Sequence, residues 1–148
     1  RRLAHYSIRT ADLEASRRFY TEVLGFRVGY RPAFPFPGLW LYNGPDDADY
    51  GIVHIIGIDR NDPSGLHGYL GERGAVAQGT GTLDHVAFLA TDLRGMHARL
   101  RAAQLAWRDR TVPDLGLHQV FVEDPSGVTV ELNFPAEEAA ALARETPQ

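Results

Sequence analysis

The chain of 148 residues is long enough for one globular domain, or for two very small modules that share one core. Hydrophobic residues make up 44% and charged residues 23%, as in ordinary soluble proteins, and no apolar run approaches the roughly 20 residues that span a bilayer. A net charge of −4 argues against nucleic acid as a partner, so the expected ligand is a small molecule. The absence of cysteine excludes disulfides and thiolate metal sites and is compatible with the cytoplasmic location that we expect.

The first half of the chain predicts the element order β-α-β-β-β. A strand within the sequence LAHYSIRTADL leads to a helix with apolar residues at three- and four-residue spacing, capped by Thr10 or Asp12 and ended by Gly25. Three strand-like runs follow, at about residues 27–31, 38–43 and 50–57. The glycine-rich residues 58–82 then predict a linker or a mobile lid.

The second half repeats this order at a period of 80 residues. The sequence LDHVAFLATDL aligns with LAHYSIRTADL, and Thr91 or Asp92 is the predicted helix cap. Strand-like runs follow at about residues 106–110, 117–123 and 128–134. Residues 136–144 predict a surface helix in which Glu137 and Glu138 are solvated.

These elements predict an α+β fold made of two βαβββ modules. The modules lie at about residues 3–57 and 83–134 and form a single domain over residues 1–135. Residues 136–148 form a helical tail. The boundaries follow from turn residues between strand-like runs, which locate an element to within a few residues.

The repeat aligns four potential metal ligands, all expected inside strands, as two equivalent pairs. His5 and His54 are 49 residues apart, and His85 and Glu131 are 46 residues apart, a difference that one short insertion explains. If the halves pack with pseudo-twofold symmetry, these four side chains meet. Imidazole and carboxylate suit Zn, Ni, Mn or Fe(II). We therefore predict one divalent metal ion bound by His5, His85 and Glu131, with His54 as a fourth ligand or as a proton-transfer residue.

A predicted hairpin assigns further side chains to a face of the sheet. The sequence DPSG predicts a type I turn with its glycine in the left-handed region, which sets Phe121 opposite Glu131. Gln119 and Phe121 then share the face of Glu131 and are candidates for substrate contact, whereas His118 points the other way. His97 is interpreted as a helix-surface residue without a partner.

The proline-rich residues 31–38 carry two aromatic side chains, Phe34 and Phe36. Together with Trp40 they are candidates for an apolar wall over the substrate. The alternative is a rigid connector between two strands, because proline disfavours a helix here.

The chain resembles the vicinal oxygen chelate superfamily over about residues 3–134. The resemblance rests on the segments LAHYSIRTADLEASRRFYTEVLGF, LDHVAFLATDL and VFVEDPSGVTVELNF. That superfamily includes glyoxalase I, bleomycin-resistance proteins, fosfomycin-resistance enzymes, methylmalonyl-CoA epimerase and extradiol dioxygenases. The resemblance implies that the paired modules form a curved mixed sheet around the metal. It also implies a homodimer, in which His5 and His54 can face His85 and Glu131 of the partner subunit.

The resemblance leaves three functions open. The first is a glyoxalase-like lyase or isomerase acting on a small molecule with vicinal oxygens through an enediolate, with Glu131 or His54 moving the proton. Glyoxalase I commonly has Glu at the position of His54. The second is a non-haem Fe(II) extradiol, catechol-type dioxygenase with His5, His85 and Glu131 as its triad, although such enzymes usually have Tyr in place of Phe121. The third is a non-catalytic small-molecule binding or resistance protein with an aromatic pocket.

Overall fold

The computed structural model describes residues 5–44, 51–70, 78–81, 83 and 85–145. The chain divides into two compact units, Arg1–Gly79 and Thr80–Gln148, with the boundary inside the predicted linker. Each unit contains its own four-stranded mixed sheet with helices, so the predicted pair of βαβββ modules is confirmed. Among the described residues, no helix combines the length and the apolar character that crossing a membrane requires.

The first unit follows the predicted order and adds one helix. Its elements are β1 (Tyr6–Thr10), α1 (Leu13–Arg18), β2 (Arg27–Gly29), β3 (Gly38–Tyr42), β4 (Val53–Gly57) and α2 (Ser64–Leu70). The strands lie in the order β1-β4-β3-β2, and β1 is parallel to β4 while the other pairs are antiparallel. The helix α2 was not predicted, because its glycine-rich sequence favours a loop. Residues 71–77 and 82 of the predicted linker lie outside the described residues.

Local sequence explains how α1 begins and ends. The Asp12 carboxylate accepts a hydrogen bond from the N–H of Ala15 at 2.9 Å, which selects Asp12 over Thr10 as the side-chain cap. One π-helical turn, Phe19–Val23, continues the helix, and Gly25 follows with a φ of +81°. Glycine adopts that conformation at little cost, so Gly25 ends the helix as predicted.

The second unit has the same plan. Its elements are β5 (His85–Leu89), α3 (Leu93–Ala102), β6 (Trp107–Val112), β7 (Leu117–Glu123), β8 (Thr129–Pro135) and α4 (Ala136–Glu145). The strands lie in the order β5-β8-β7-β6, with β5 parallel to β8. The predicted hairpin register is confirmed: Phe121 lies opposite Glu131, and Gly127 has a φ of +82°.

The two faces of the second sheet differ in polarity. One face carries buried apolar side chains that form a core with the buried residues of α3: Val120, Val122, Val130, Leu132, Phe134, Leu93, Met96 and Leu100. The other face carries Gln119, Phe121, Glu131 and Asn133, because side chains alternate along a strand. A polar face beside an apolar core follows from the alternation of polar and apolar residues along β8.

Contacts at the start of α3 show that one prediction, the solvation of Glu138, was wrong. Glu138 of α4 is not simply solvated, since its carboxylate accepts hydrogen bonds from the N–H groups of Asp92 and Leu93 at 3.3 and 2.6 Å. The Asp92 side chain itself accepts from the N–H of Gly95 at 3.0 Å. Two carboxylates therefore serve the otherwise unpaired N–H groups at this helix end. Glu137 is exposed, as predicted.

Candidate metal centre

In the first unit, His5 and His54 are brought into contact. Their rings stack with centroids 3.8 Å apart and an interplanar angle of 17°. The parallel pairing of β1 with β4 sets Ser7 opposite His54, and His5 lies two residues before Ser7, so both imidazoles occupy one face. His5 immediately precedes β1, a small correction to its predicted place inside a strand.

A third ring closes the other side of His54. Trp40 lies opposite His54 in the antiparallel pairing of β3 with β4, and the two rings are parallel with centroids 4.0 Å apart. His54 is therefore only 8% exposed. Within the described part of the chain, its Nε2 atom is buried without a hydrogen-bond partner.

Burial has a consequence for the protonation of His54. The pKa of His54 is lowered to about 4, mainly by loss of solvation and also by the nearby His5 and Arg31, while a hydrogen bond with the backbone of Gly51 acts in the opposite direction. Near neutral pH the imidazole is consequently neutral, which is the form that binds a metal ion or accepts a proton. A buried ring nitrogen without a partner, in the neutral form, fits either role.

In the second unit, His85 and Glu131 form an equivalent pair. The Nε2 atom of His85 lies 3.1 Å from Oε2 of Glu131. The parallel pairing of β5 with β8 sets Ala87 opposite Glu131, which places His85 on the same face two residues earlier. Ligands about 2.1 Å from one ion lie roughly 3.0–3.4 Å apart, so this spacing fits two ligands of a single metal.

Amide groups hold Glu131 in its orientation. Its Oε1 atom accepts hydrogen bonds from Nε2 of Gln119 at 2.7 Å and from Nδ2 of Asn133 at 2.8 Å. Arg110 donates to Oε1 of Gln119 at 2.8 Å and fixes that amide in turn. The other carboxylate oxygen is left facing His85, as expected for a ligand whose outer neighbours position it.

This network gives Gln119 a role that sequence reasoning did not assign. Gln119 is 6% exposed and positions Glu131, and its predicted contact with substrate stays a prediction. Arg110 and Asn133 were not candidates at all. The sequence pattern could have identified them, because both are polar residues on the strand face that carries Glu131. Asn133 follows Glu131 by two residues, and Arg110 pairs with Gln119 across the hairpin.

The donor chemistry of both pairs fits a divalent ion. The first unit offers two imidazoles, and the second offers an imidazole and an oriented carboxylate. Such nitrogen and oxygen donors suit Zn, Ni, Mn or Fe(II), whereas a thiolate-dependent site is excluded by the absence of cysteine.

The predicted aromatic residues of the first unit gather near His54. Phe34 and Phe36 stack at 5.4 Å between centroids, and Phe34 lies 6.2 Å from Trp40. The guanidinium of Arg31 lies over both phenylalanine rings, at 5.0 and 5.1 Å. The proline-rich segment thus contributes an apolar surface next to the ring stack of His54, beyond a connecting role.

Phe121 lies beside the second pair. Its ring meets His85 edge-on, with centroids 6.5 Å apart. The guanidinium groups of Arg108 and Arg110 lie 4.6 and 5.8 Å from the same ring. Phe121 also lines an open groove of about 800 Å³ together with Trp107 and other residues of the β6–β7 end.

The chain belongs to the Glyoxalase/Bleomycin resistance protein/Dioxygenase superfamily, because the model of that superfamily matches residues 2–132. No curated protein matches the chain significantly. Solved structures extend the likeness to the fold. Trypanothione-dependent glyoxalase I of Leishmania major is 24% identical, with a TM-score of 0.61, over 98% of this chain and 96% of that chain.

Two further similar structures differ in what they bind. A variant of the fosfomycin resistance protein FosX from Listeria monocytogenes, in complex with Mn(II) and 1S,2S-dihydroxypropylphosphonic acid, has a TM-score of 0.63 and 14% identity over 94% of this chain and 95% of that chain. TnmS3, an antibiotic binding protein from a Streptomyces species, has a TM-score of 0.57 and 22% identity over 91% and 96%. At these identities the comparison shows the shared fold, which supports both enzymes and binding proteins.

Proposed function

We propose that the protein is a metal-dependent enzyme, a glyoxalase-like lyase or isomerase that acts on a small molecule with vicinal oxygens. The observation that supports this most is the Glu131 carboxylate, 3.1 Å from His85 and oriented by two amide donors. The proposed ligands are the two repeat-related pairs, His5 with His54 and His85 with Glu131.

The reaction class follows from the chemistry of these groups. A bound divalent ion would polarise the substrate oxygens and lower the pKa of the neighbouring C–H bond. The chain then has to move one proton. Whichever of His54 and Glu131 is not holding the ion would accept it, at Nε2 of the neutral imidazole or at Oε2 of the carboxylate, since Oε1 is already occupied by amide donors.

The aromatic residues of the first unit support this chemistry in a second way. Phe34, Phe36 and Trp40 present apolar surface beside His54, and they would exclude water from a substrate bound there. Exclusion of water strengthens electrostatic interactions and protects a reactive carbanionic substrate from competing protonation.

The first test is the metal content of protein purified without chelator and then reconstituted with Zn(II), Ni(II), Mn(II) or Fe(II). We expect His85→Ala and Glu131→Gln each to bind one equivalent less than the unaltered protein, because each removes a ligand. His67→Ala is the matched control, since His67 belongs to α2 and to neither pair. An unaltered protein that takes up no divalent ion on reconstitution would exclude both the lyase and the dioxygenase.

The iron-loaded protein separates the two enzyme classes. Oxygen-dependent turnover of a catechol to a yellow product would favour the extradiol dioxygenase. Proton exchange at a carbon next to a carbonyl, without oxygen consumption, would favour the lyase or isomerase.

A second candidate function is small-molecule binding without catalysis. It is favoured by the cluster of Phe34, Phe36 and Trp40, with the Arg31 guanidinium over two of these rings. Quenching of Trp40 fluorescence by planar aromatic compounds measures such binding, with Trp107→Phe removing the only other tryptophan signal. Tight binding that survives chelation of metal would favour this function over the enzyme.

A further inference from the structure

A second group of metal-ligating side chains lies on the opposite face of the second sheet from Glu131. His118 of β7 neighbours Gln119, so its side chain points to the other face. It pairs with Thr111 of β6, and Asp109 lies on the same face two residues earlier. His97 of α3 completes the group. The sequence prediction placed His118 on this face correctly, but it wrongly left His97 without a partner.

The geometry of this group suits one metal ion. The Nε2 atom of His97 lies 3.0 Å from Oδ1 of Asp109, and Nε2 of His118 lies 3.5 Å from the same oxygen. One ligand atom from each of the three side chains lies within 4.8 Å of the others. Ligands around a tetrahedral ion with bonds of about 2.0–2.1 Å are roughly 3.3 Å apart, and the two distances to Oδ1 of Asp109 lie close to that value.

The surroundings of His118 orient its ring so that Nε2 is available to bind a metal ion. Its side chain is 10% exposed, and its Nδ1 atom lies 2.8 Å from the hydroxyl of Thr111. If Nδ1–H donates to that hydroxyl, the lone pair of Nε2 is free. In the described residues, this buried Nε2 has no hydrogen-bond partner. Buried polar atoms are normally paired. A cation bound between Nε2 of His118 and the facing carboxylate of Asp109 would give this nitrogen a partner.

Asp109 is oriented in the same manner. The indole N–H of Trp107 donates to Oδ2 of Asp109 at 3.2 Å, which leaves Oδ1 facing both histidines. The His97 ring stacks on Trp107, with centroids 5.6 Å apart. A simple hydrogen-bonded pair of His97 and Asp109 would satisfy two of the three groups and leave Nε2 of His118 unpaired.

We propose that His97, Asp109 and His118 bind one divalent cation of the zinc class, at a site separate from the His85–Glu131 pair. Two imidazoles and one carboxylate are ligands that Zn(II) accepts, and water completes the coordination from the solvent side of Asp109. The ion would join α3 to both strands of the β6–β7 hairpin, and it would therefore stabilise this unit. The site does not depend on the proposed enzymatic function.

The test uses Zn(II) in a His85→Ala, Glu131→Gln background, which removes the ion of the first proposed site. Titration against a chromophoric chelator is expected to show one equivalent of Zn(II) per chain. His97→Ala and Asp109→Asn, added singly to the background, are expected to abolish this binding. The matched controls His67→Ala and Asp114→Asn are expected to retain it, because neither residue belongs to the group.

A second substitution examines the positioning of His118. Thr111→Val removes the hydroxyl near Nδ1 but no ligand, so the affinity for Zn(II) is expected to fall about tenfold to a hundredfold. Unchanged affinity in this variant would contradict the proposed orientation of the imidazole.

Nuclear magnetic resonance of the histidine ring nitrogens detects metal binding without any substitution of His97, Asp109 or His118. In the background protein, Zn(II) is expected to shift the Nε2 resonances of both His97 and His118 and to leave that of His67 in place. A background protein that binds no Zn(II), or Zn(II) binding that both His97→Ala and Asp109→Asn retain, would overturn the proposal.

Discussion

The two oxygens of Glu131 have different neighbours, and this difference determines what the side chain can do. Oε1 accepts from Gln119 and Asn133, while Oε2 faces His85. Because Gln119 also donates to Oδ1 of Asn133 at 3.0 Å, the amides form a connected network. Such a network fixes the carboxylate before any ligand binds, which lowers the entropic cost of forming a metal site.

The first residue-scale prediction concerns Gln119. Gln119→Leu keeps the volume but removes the donor to Glu131, so we expect about tenfold to hundredfold weaker binding of the divalent ion. Chelator competition in a His97→Ala background measures this without a contribution from the second site. A melting curve controls for misfolding, and unchanged affinity would mean that Asn133 alone positions the carboxylate.

The second residue-scale prediction concerns acid stability of the metal-free protein. His54 has a pKa of about 4 when folded and about 6.5 when unfolded, because burial disfavours the charged ring. Between these values the unfolded chain binds more protons, so the free energy of unfolding falls as pH falls from 6.5 to 4, by up to about 3 kcal/mol.

Urea unfolding across that range measures the effect. The variant His54→Gln does not titrate there, and its pH dependence is expected to be flatter by the contribution of His54. An equal slope in both proteins would show that the ring is protonated without penalty in the folded state.

Helix α2 illustrates how a close contact constrains an element. An added Cβ at Gly65 would lie 1.8 Å from the carbonyl oxygen of Pro35, whereas at Gly68 in the same helix it would meet nothing within 4 Å. Gly65 therefore allows α2 to lie against the proline-rich segment that carries the aromatic residues.

The same substitution at both glycines is predicted to have opposite effects. Gly65→Ala should destabilise the protein by about 1–3 kcal/mol through overpacking. Gly68→Ala should stabilise it by about 0.5–1 kcal/mol, because alanine favours the helix. Thermal or urea unfolding of the two variants measures the difference, and equal changes would contradict the close approach to Pro35.

The cap that Glu138 provides to α3 gives a further element-scale prediction. Glu138→Ala removes the acceptor of two backbone N–H groups and is expected to cost about 0.5–2 kcal/mol. Glu137→Ala, at the exposed neighbouring position, should change the free energy of unfolding by less than about 0.5 kcal/mol. A similar loss in both variants would assign the effect to α4 itself.

For the whole molecule we expect a homodimer whose metal sites are shared between chains, as members of the superfamily suggest. Both variants would carry His97→Ala, which removes the second proposed site. One would lack the first pair, with His5→Ala and His54→Ala, and it would be mixed with one lacking His85 and Glu131. If the sites are shared, unfolding and refolding the mixture should produce metal binding that neither variant shows alone. Light scattering measures the oligomeric state, and a monomer would exclude this arrangement.

The sequence by itself determined the repeated βαβββ order and the two pairs around His54 and Glu131. Strand alternation and helical spacing are local, and the internal repeat aligns the equivalent positions of the two halves. It also determined the hairpin register, because the DPSG turn specifies its own geometry.

Only the tertiary structure decided which side chains surround those residues. The amides around Glu131, the ring stack of His54 and the group of His97, Asp109 and His118 join elements with unrelated sequence spacing. Helix α2 was missed for a related reason, since contact with the proline-rich segment outweighs the weak helix propensity of its glycines. Such contacts depend on how elements pack, and no local pattern in the sequence encodes them.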